Sequence, residues 1–180
     1  MPDVNWKRSL IDQMSFAWEY MFVPRVEGLT DDEYMWAPVA DVWTVHPGDG
    51  DAAPTIDPQR DVEPAPFTTI AWRMHHMADF FTKRRVNHFG DPATEVMDAP
   101  VTLSAAEGLA NLAHAYERWK AELDAIPDER LSSPCGPAEG PFAESPFADL
   151  ILHINREFIH HAAECALLRD LYRQRESLQA

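Results

Sequence analysis

A chain of 180 residues with 30 acidic and 15 basic side chains carries a formal charge of -15, which leaves no basic footprint for phosphate backbones and argues against nucleic acid and anionic membrane surfaces as partners. That length suits one domain, residues 1 to 180, able to bury roughly 70% of the surface its unfolded form exposes. Cys135 and Cys165 form no CxxC and no disulfide framework, and neither a secretory leader nor a run near the ~18 apolar residues of a membrane span is visible, so a reduced, cytoplasmic, soluble protein is expected.

From about Asp3 to Val23, the residues Leu10, Ile11, Met14, Trp18, Met21 and Phe22 recur at three- and four-residue spacing. This predicts an amphipathic helix capped by Asp3 or Asn5 and ended by Pro24 and Gly28. Thr30 to Glu33 is a capping box for a short helix through about Trp36. Residues 37 to 66 hold six prolines and no helical period, a long ordered loop that Val42, Trp43 and Val45 should fold back onto the body. Thr68 to about Phe89 predicts the second long helix, closed by Gly90 with Lys83, Arg84 and Arg85 in its later turns. Within it His76 lies between Trp72 and Phe80, four residues to either side, and faces inward, whereas His75 falls on the wetter side.

A third helix starts at Thr102 or Ser104, with Ser104 and Glu107 at capping-box spacing and Leu109, Leu112, Tyr116, Trp119, Leu123 and Ile126 along one face. Pro127 stops it, and residues 127 to 146 form a second irregular connection rich in proline. No stretch shows a strand pattern with a partner. The elements describe an all-α bundle, in which metal and cofactor sites are built from side chains on facing helices, with both long loops near one end as a mouth.

The final helix, Leu150 to Tyr172, reads LILHINREFIHHAAECALLRDLY. At about 100° per residue, Leu150, Ile154, Glu157, His161, Cys165, Leu168 and Tyr172 share one face. A carboxylate on an apolar face must be neutralised, paired or metal-bound. His76, Glu157 and His161 are therefore candidate ligands of one divalent metal with open positions; two imidazoles and a carboxylate suit zinc, iron or nickel. Such an ion lowers the pKa of bound water or thiol. The same residues serve equally as a polar cluster without metal, with Glu157 paired to Arg156, Arg73 or Arg84 and His161 donating to a carbonyl.

Around this set, His153 and His160 flank the stripe and can join the site or line its edge. Cys165 reads as a buried inert thiol or a fourth ligand. Trp36, Trp43, Trp72 and Trp119 read as core, with Trp72 and Trp43 near the site. His46 and His88 fit surface or capping roles, and His114 faces solvent. There is no glycine-rich phosphate loop, GxSxG or HExxH.

Three blocks carry a resemblance: LTDDEYMWAPV at 29 to 39 with Trp43, PFTTIAWRMHHMADFFTKRRVNHFG at 66 to 90, and HINREFIHHAAECALLRDLY at 153 to 172. In order and spacing they resemble the DinB/YfiT-like superfamily across most of the chain. The resemblance implies an up-and-down four-helix bundle, commonly a homodimer, with a divalent metal held by a histidine triad. Members with a known role are similar to thiol-dependent S-transferases and isomerases that use a low-molecular-weight thiol cosubstrate such as mycothiol or bacillithiol. His76 then takes the ligand position of the second long helix and His161 the last ligand of the final helix. Glu157 stands where the commonest pattern has the first histidine of His-x-x-x-His, which changes the charge and softness of the site. The expectation is a metal-dependent enzyme acting on a small electrophile that enters beside the 37 to 66 loop. A non-catalytic small-molecule binding or stress-response module is the alternative, and a structural dimerisation protein a third reading.

Overall fold

The computed structural model describes residues 4–178, and the fold is mostly helical with a few very short strands. The first run opens at Asn5, whose side chain accepts the Arg8 N–H at 2.8 Å, as a small polar cap should. Asp3, the other expected cap, lies outside the described residues. Helix α1 (Trp6–Phe16) passes into a π-helical turn (Ala17–Phe22) and then into α2 (Val23–Val26), so the run crosses Pro24 instead of stopping there. Pro24 falls in the first turn of α2, where a missing N–H is tolerated.

The π turn follows from the spacing of the core residues. Met14, Trp18, Phe22 and Val26 recur every four residues, and each such step drifts about 40° around a straight α-helix. A wider turn takes the drift back, keeping Met14, Phe22 and Val26 buried and Trp18 against the core. Met21, expected on the same stripe, is turned out to solvent.

Both halves of the expected capping box form over α3 (Asp31–Met35): Thr30 Oγ1 accepts the Glu33 N–H and the Glu33 carboxylate accepts the Thr30 N–H. The 37 to 66 stretch does contain strands, contrary to the expectation that none has a partner. β1 (Val42–Trp43) runs parallel to β4 (Phe67–Thr68), and β2 (Val45–His46) runs antiparallel to β3 (Thr55–Ile56). Two-residue strands are too short to show the alternation by which a strand is recognised. The stretch folds back as expected: Val45 is buried, Thr44 and Thr69 share a hydroxyl hydrogen bond of 2.9 Å, and Trp72 Nε1 donates to the Asp57 carbonyl at 2.9 Å.

Helix α4 (Ile70–Phe89) is capped by Thr69 and closed by Gly90. Gly90 is extended, not left-handed, and a Cβ there would displace the Glu95 carboxylate, one oxygen of which lies 2.3 Å away. Helix α5 (Ala105–Ala125) replaces the expected Ser104 and Glu107 box with a tertiary arrangement. The Thr102 hydroxyl donates to Glu107 and accepts the Ser104 N–H, while Asp31 of α3 accepts the Ala105 N–H at 2.7 Å. Helix α6 (Phe147–Arg173) is the longest, at 27 residues.

Helix α4 packs on both α5 and α6, and α1 with its π turn packs on α6. Aromatic rings fill the centre, with Trp18 stacked on Tyr116 at 4.2 Å and Phe158 beside Trp18, Phe22 and Phe81. One buried ion pair crosses this packing: Arg169 Nε of α6 donates to Glu33 at 3.0 Å and its Nη1 to the Arg25 carbonyl at 2.8 Å.

The two proline-rich segments sit at opposite ends of α4, not together at one mouth. Thr44 and Asp57 reach Thr69 and Trp72, whereas Glu139 reaches Arg84 and His88, about 24 Å farther along the helix. His88, expected at the surface or in a cap, has its side chain 3% exposed, bonded to Glu139 at 2.8 Å with its ring against Phe147. Sequence spacing carries no information about which end of a neighbour a loop returns to.

Candidate metal site

His76 comes from the first half of α4 and Glu157 and His161 from the middle of α6, where two residues four apart rise on one face. Each of the three offers a ligand atom within 4.8 Å of the others. The rings of His76 and His161 meet edge to face, 4.9 Å between centroids at 88°. Trp72 lies parallel to the His76 ring at 5.1 Å and 14°, and Phe80 closes its other side, which fixes the imidazole from both neighbouring turns.

Glu157 is not in the core. Its side chain is 31% exposed, because the buried face of α6 runs through Ile154, Phe158, Ala162 and Cys165 and places Glu157 and His161 at its edge. Nor does Glu157 pair with Arg73 or Arg84; its carboxylate lies 3.6 Å from His161 Nε2, 3.7 Å from His153 Nδ1 and 4.0 Å from Arg156 Nε. Placed so, it is half wet and held only loosely.

A residue the sequence reading did not single out completes the arrangement. Glu164, one turn after His161, accepts from His161 Nδ1 at 2.8 Å and from Arg73 Nη1 on the same oxygen. A carboxylate can only accept, so the Nδ1 of His161 carries the proton and Nε2 presents a lone pair toward Glu157 and His76. Carboxylates of this kind orient metal-binding histidines. The available signal was spacing: Glu164 stands three residues after His161 and four after His160, and with its flank facing solvent it passed as a surface charge.

Burial holds the His76 imidazole below the ordinary histidine range, and burial together with the His76 ring and the Arg73 guanidinium presses His161 down to about 3. Both rings are therefore neutral near pH 7, the form that binds metal. Arg73 stands 3.3 Å from His161 Nδ1, a fixed positive charge beside the cluster that opposes a second cation there.

The remaining candidates lie as follows. His160 is 64% exposed and reaches Glu164 at 3.3 Å, forming with His161 and Glu164 a second, outward-facing group. His153 is turned toward Arg156 and Glu157. Trp43 packs on Trp72, one layer behind His76. Cys165 is fully buried, its thiol pushed up to about 12 by burial, and it belongs to the core and not to the site. His75 is part-buried, with its Nδ1 buried and without a partner. It lines, with His76, Trp72, Asp57 and Asp79, a cavity of about 450 Å³ that opens beside the 37 to 66 loop.

A profile of the DinB superfamily matches residues 13–165, across α1 to most of α6. The chain belongs to the DinB superfamily. In this DinB chain the match covers all three clustered side chains and Glu164. No curated protein and no solved structure matches the chain. Among the described residues no helix is long and apolar enough to cross a membrane.

Proposed function

We propose that this DinB protein is a divalent-metal-dependent enzyme of the thiol-dependent S-transferase kind, built as an up-and-down four-helix bundle that pairs as a homodimer. The observation that carries the reading is the convergence of His76, Glu157 and His161, with His76 also lining a cavity and His161 held in one tautomer by Glu164. The donor set fits a metal: two neutral imidazoles and one accessible carboxylate suit zinc, nickel or iron. When bound, that ion would supply Lewis acidity, lowering the pKa of a small thiol such as mycothiol, or of water.

The chain's own residues account for the rest. His76 and His161 present nitrogen lone pairs, Trp72 and Phe80 keep the His76 ring from rotating, and Glu164 holds the His161 proton on Nδ1. A small electrophile would enter the 450 Å³ cavity between α4 and the 37 to 66 loop, with Trp72 as its apolar wall and Asp57 at its rim. Both free cysteines suit a reducing, cytoplasmic setting.

Elemental analysis of protein purified without a chelating tag tests the metal directly. About one equivalent of divalent metal is expected in the native chain and its loss in His161→Ala; no divalent metal in either overturns the reading. One feature favours a second reading, a small-molecule binding module without turnover: the Arg73 guanidinium, paired with Glu164 and 3.3 Å from His161 Nδ1, opposes a cation at the cluster. A melting midpoint unchanged by chelator, with no thiol transfer, would select that module.

A further inference from the structure

A second cavity, of about 650 Å³, lies between the 127 to 146 segment and the first turns of α6, away from the cavity that His76 faces. We propose that it is a receptor for a small organic carboxylate that carries an apolar group. Its volume is in the range of small-molecule sites, and none of His76, Glu157 and His161 lines it.

Charge gives the first half of the assignment. In a chain of net charge -15, this cavity is lined by two guanidiniums, Arg84 and Arg156, together with His153. Arg84 Nε is buried with no hydrogen-bond partner; it stands 3.2 Å from Glu139 as an ion pair without the alignment of a hydrogen bond. Arg156 donates from Nη2 to His153 Nδ1, its Nε stands 4.0 Å from Glu157, and its Nη1 is left for a ligand. The planar donor fork of arginine matches a carboxylate.

Two carboxylates also line the cavity, and both are accounted for. Glu139 is held by Arg84 and by His88 Nε2 at 2.8 Å, so it anchors the guanidinium and does not offer a free negative charge. Asp149 is exposed in the first turn of α6, where the positive end of the helix offsets it.

The apolar half comes from Phe142, Pro141 and Leu150. Phe142 is 68% exposed on a short helical turn of the 127 to 146 segment, and it borders the cavity with its ring uncovered. A ligand with an anionic head and a flat apolar body would satisfy the guanidiniums and cover that ring.

Benzoate and benzamidine, of equal shape and opposite charge, decide the matter when titrated at pH 7 into the protein as purified, followed by calorimetry and protein-observed NMR. Saturable binding of one benzoate and none of benzamidine is expected, weakened about tenfold in Arg156→Gln and in Arg84→Gln, as loss of one charge-assisted hydrogen bond implies. His161→Ala should leave benzoate affinity unchanged. Equal or tighter binding of benzamidine overturns the proposal. So does benzoate affinity that survives both arginine substitutions, or that disappears in His161→Ala alone. Arg84 contacts the buried Glu139 and His88 pair; should Arg84→Gln fail to fold, Arg156→Gln, at a side chain 70% exposed, decides alone.

Discussion

Glu33 closes the capping box of α3 and also receives Arg169 of α6, with Arg173 at 3.7 Å. Burial alone would raise its pKa, but hydrogen bonds from Arg169 and the Thr30 N–H and the charges of Arg169 and Arg173 hold it below the ordinary value of 4.5. A depressed carboxylate lends stability that is full above about 4.5 and fades as pH falls through its folded-state pKa. Glu33→Gln should therefore cost about 3 kcal/mol at pH 7, since it leaves Arg169 buried with a weaker partner, and the gap between variant and native chain in urea unfolding should narrow below pH 4.5. A gap constant with pH would refute the assignment. For Glu164 the expectation concerns binding: Glu164→Gln should weaken metal affinity about tenfold or more while the helical circular dichroism is unchanged, as read by competition with a chromophoric chelator. The sequence made the grouping of His76, Glu157 and His161 legible because four-residue spacing is a local property, whereas the apolar register set Glu157 too deep, at a position that is 31% exposed. Glu164 and the buried His88 were not, since each is defined by a partner on another segment, Arg73 in one case and Glu139 in the other.

Helix pairing here depends on a few places where backbones come close. Gly108 of α5 lies under Tyr34 of α3, so a Cβ would sit 2.3 Å from the tyrosine hydroxyl, and Tyr34 is buried with no room to retreat. Glycine to alanine in a helix interior ordinarily gains roughly 0.5–1 kcal/mol. Gly108→Ala should instead destabilise by about 1–2 kcal/mol through overpacking, and Tyr34→Phe in the same chain should restore part of the loss, as measured by a double-mutant cycle in denaturant. The long helices were legible from their periodicity, and α3 from its capping box. What escaped was set from outside the segment: Asp31 caps α5 in place of Ser104, the π turn corrects a drift that only a filled core reveals, and the short strands exist because loop ends are tied to Trp43 and Thr68.

Across the molecule the excess of acidic groups repels itself, and folding brings those charges closer together. Raising sodium chloride from about 20 to about 200 mM should lift the melting midpoint by about 2–4 °C, the shift that roughly 1 kcal/mol gives at this size; a midpoint that falls would mean that ion pairs such as Arg25 with Asp170 outweigh the net repulsion. The placement of the two proline-rich segments at opposite ends of α4 has a consequence for how the chain can change over time. The spacing of His76, Glu157 and His161 is set by two helices and their packing, whereas loop residues supply part of the wall of each cavity. Insertions or substitutions in 37 to 66 can reshape what reaches His76, and changes in 127 to 146 can reshape what reaches Arg84, each without altering the other or moving the helices. Selection can thus act on two chemical appetites of one scaffold independently.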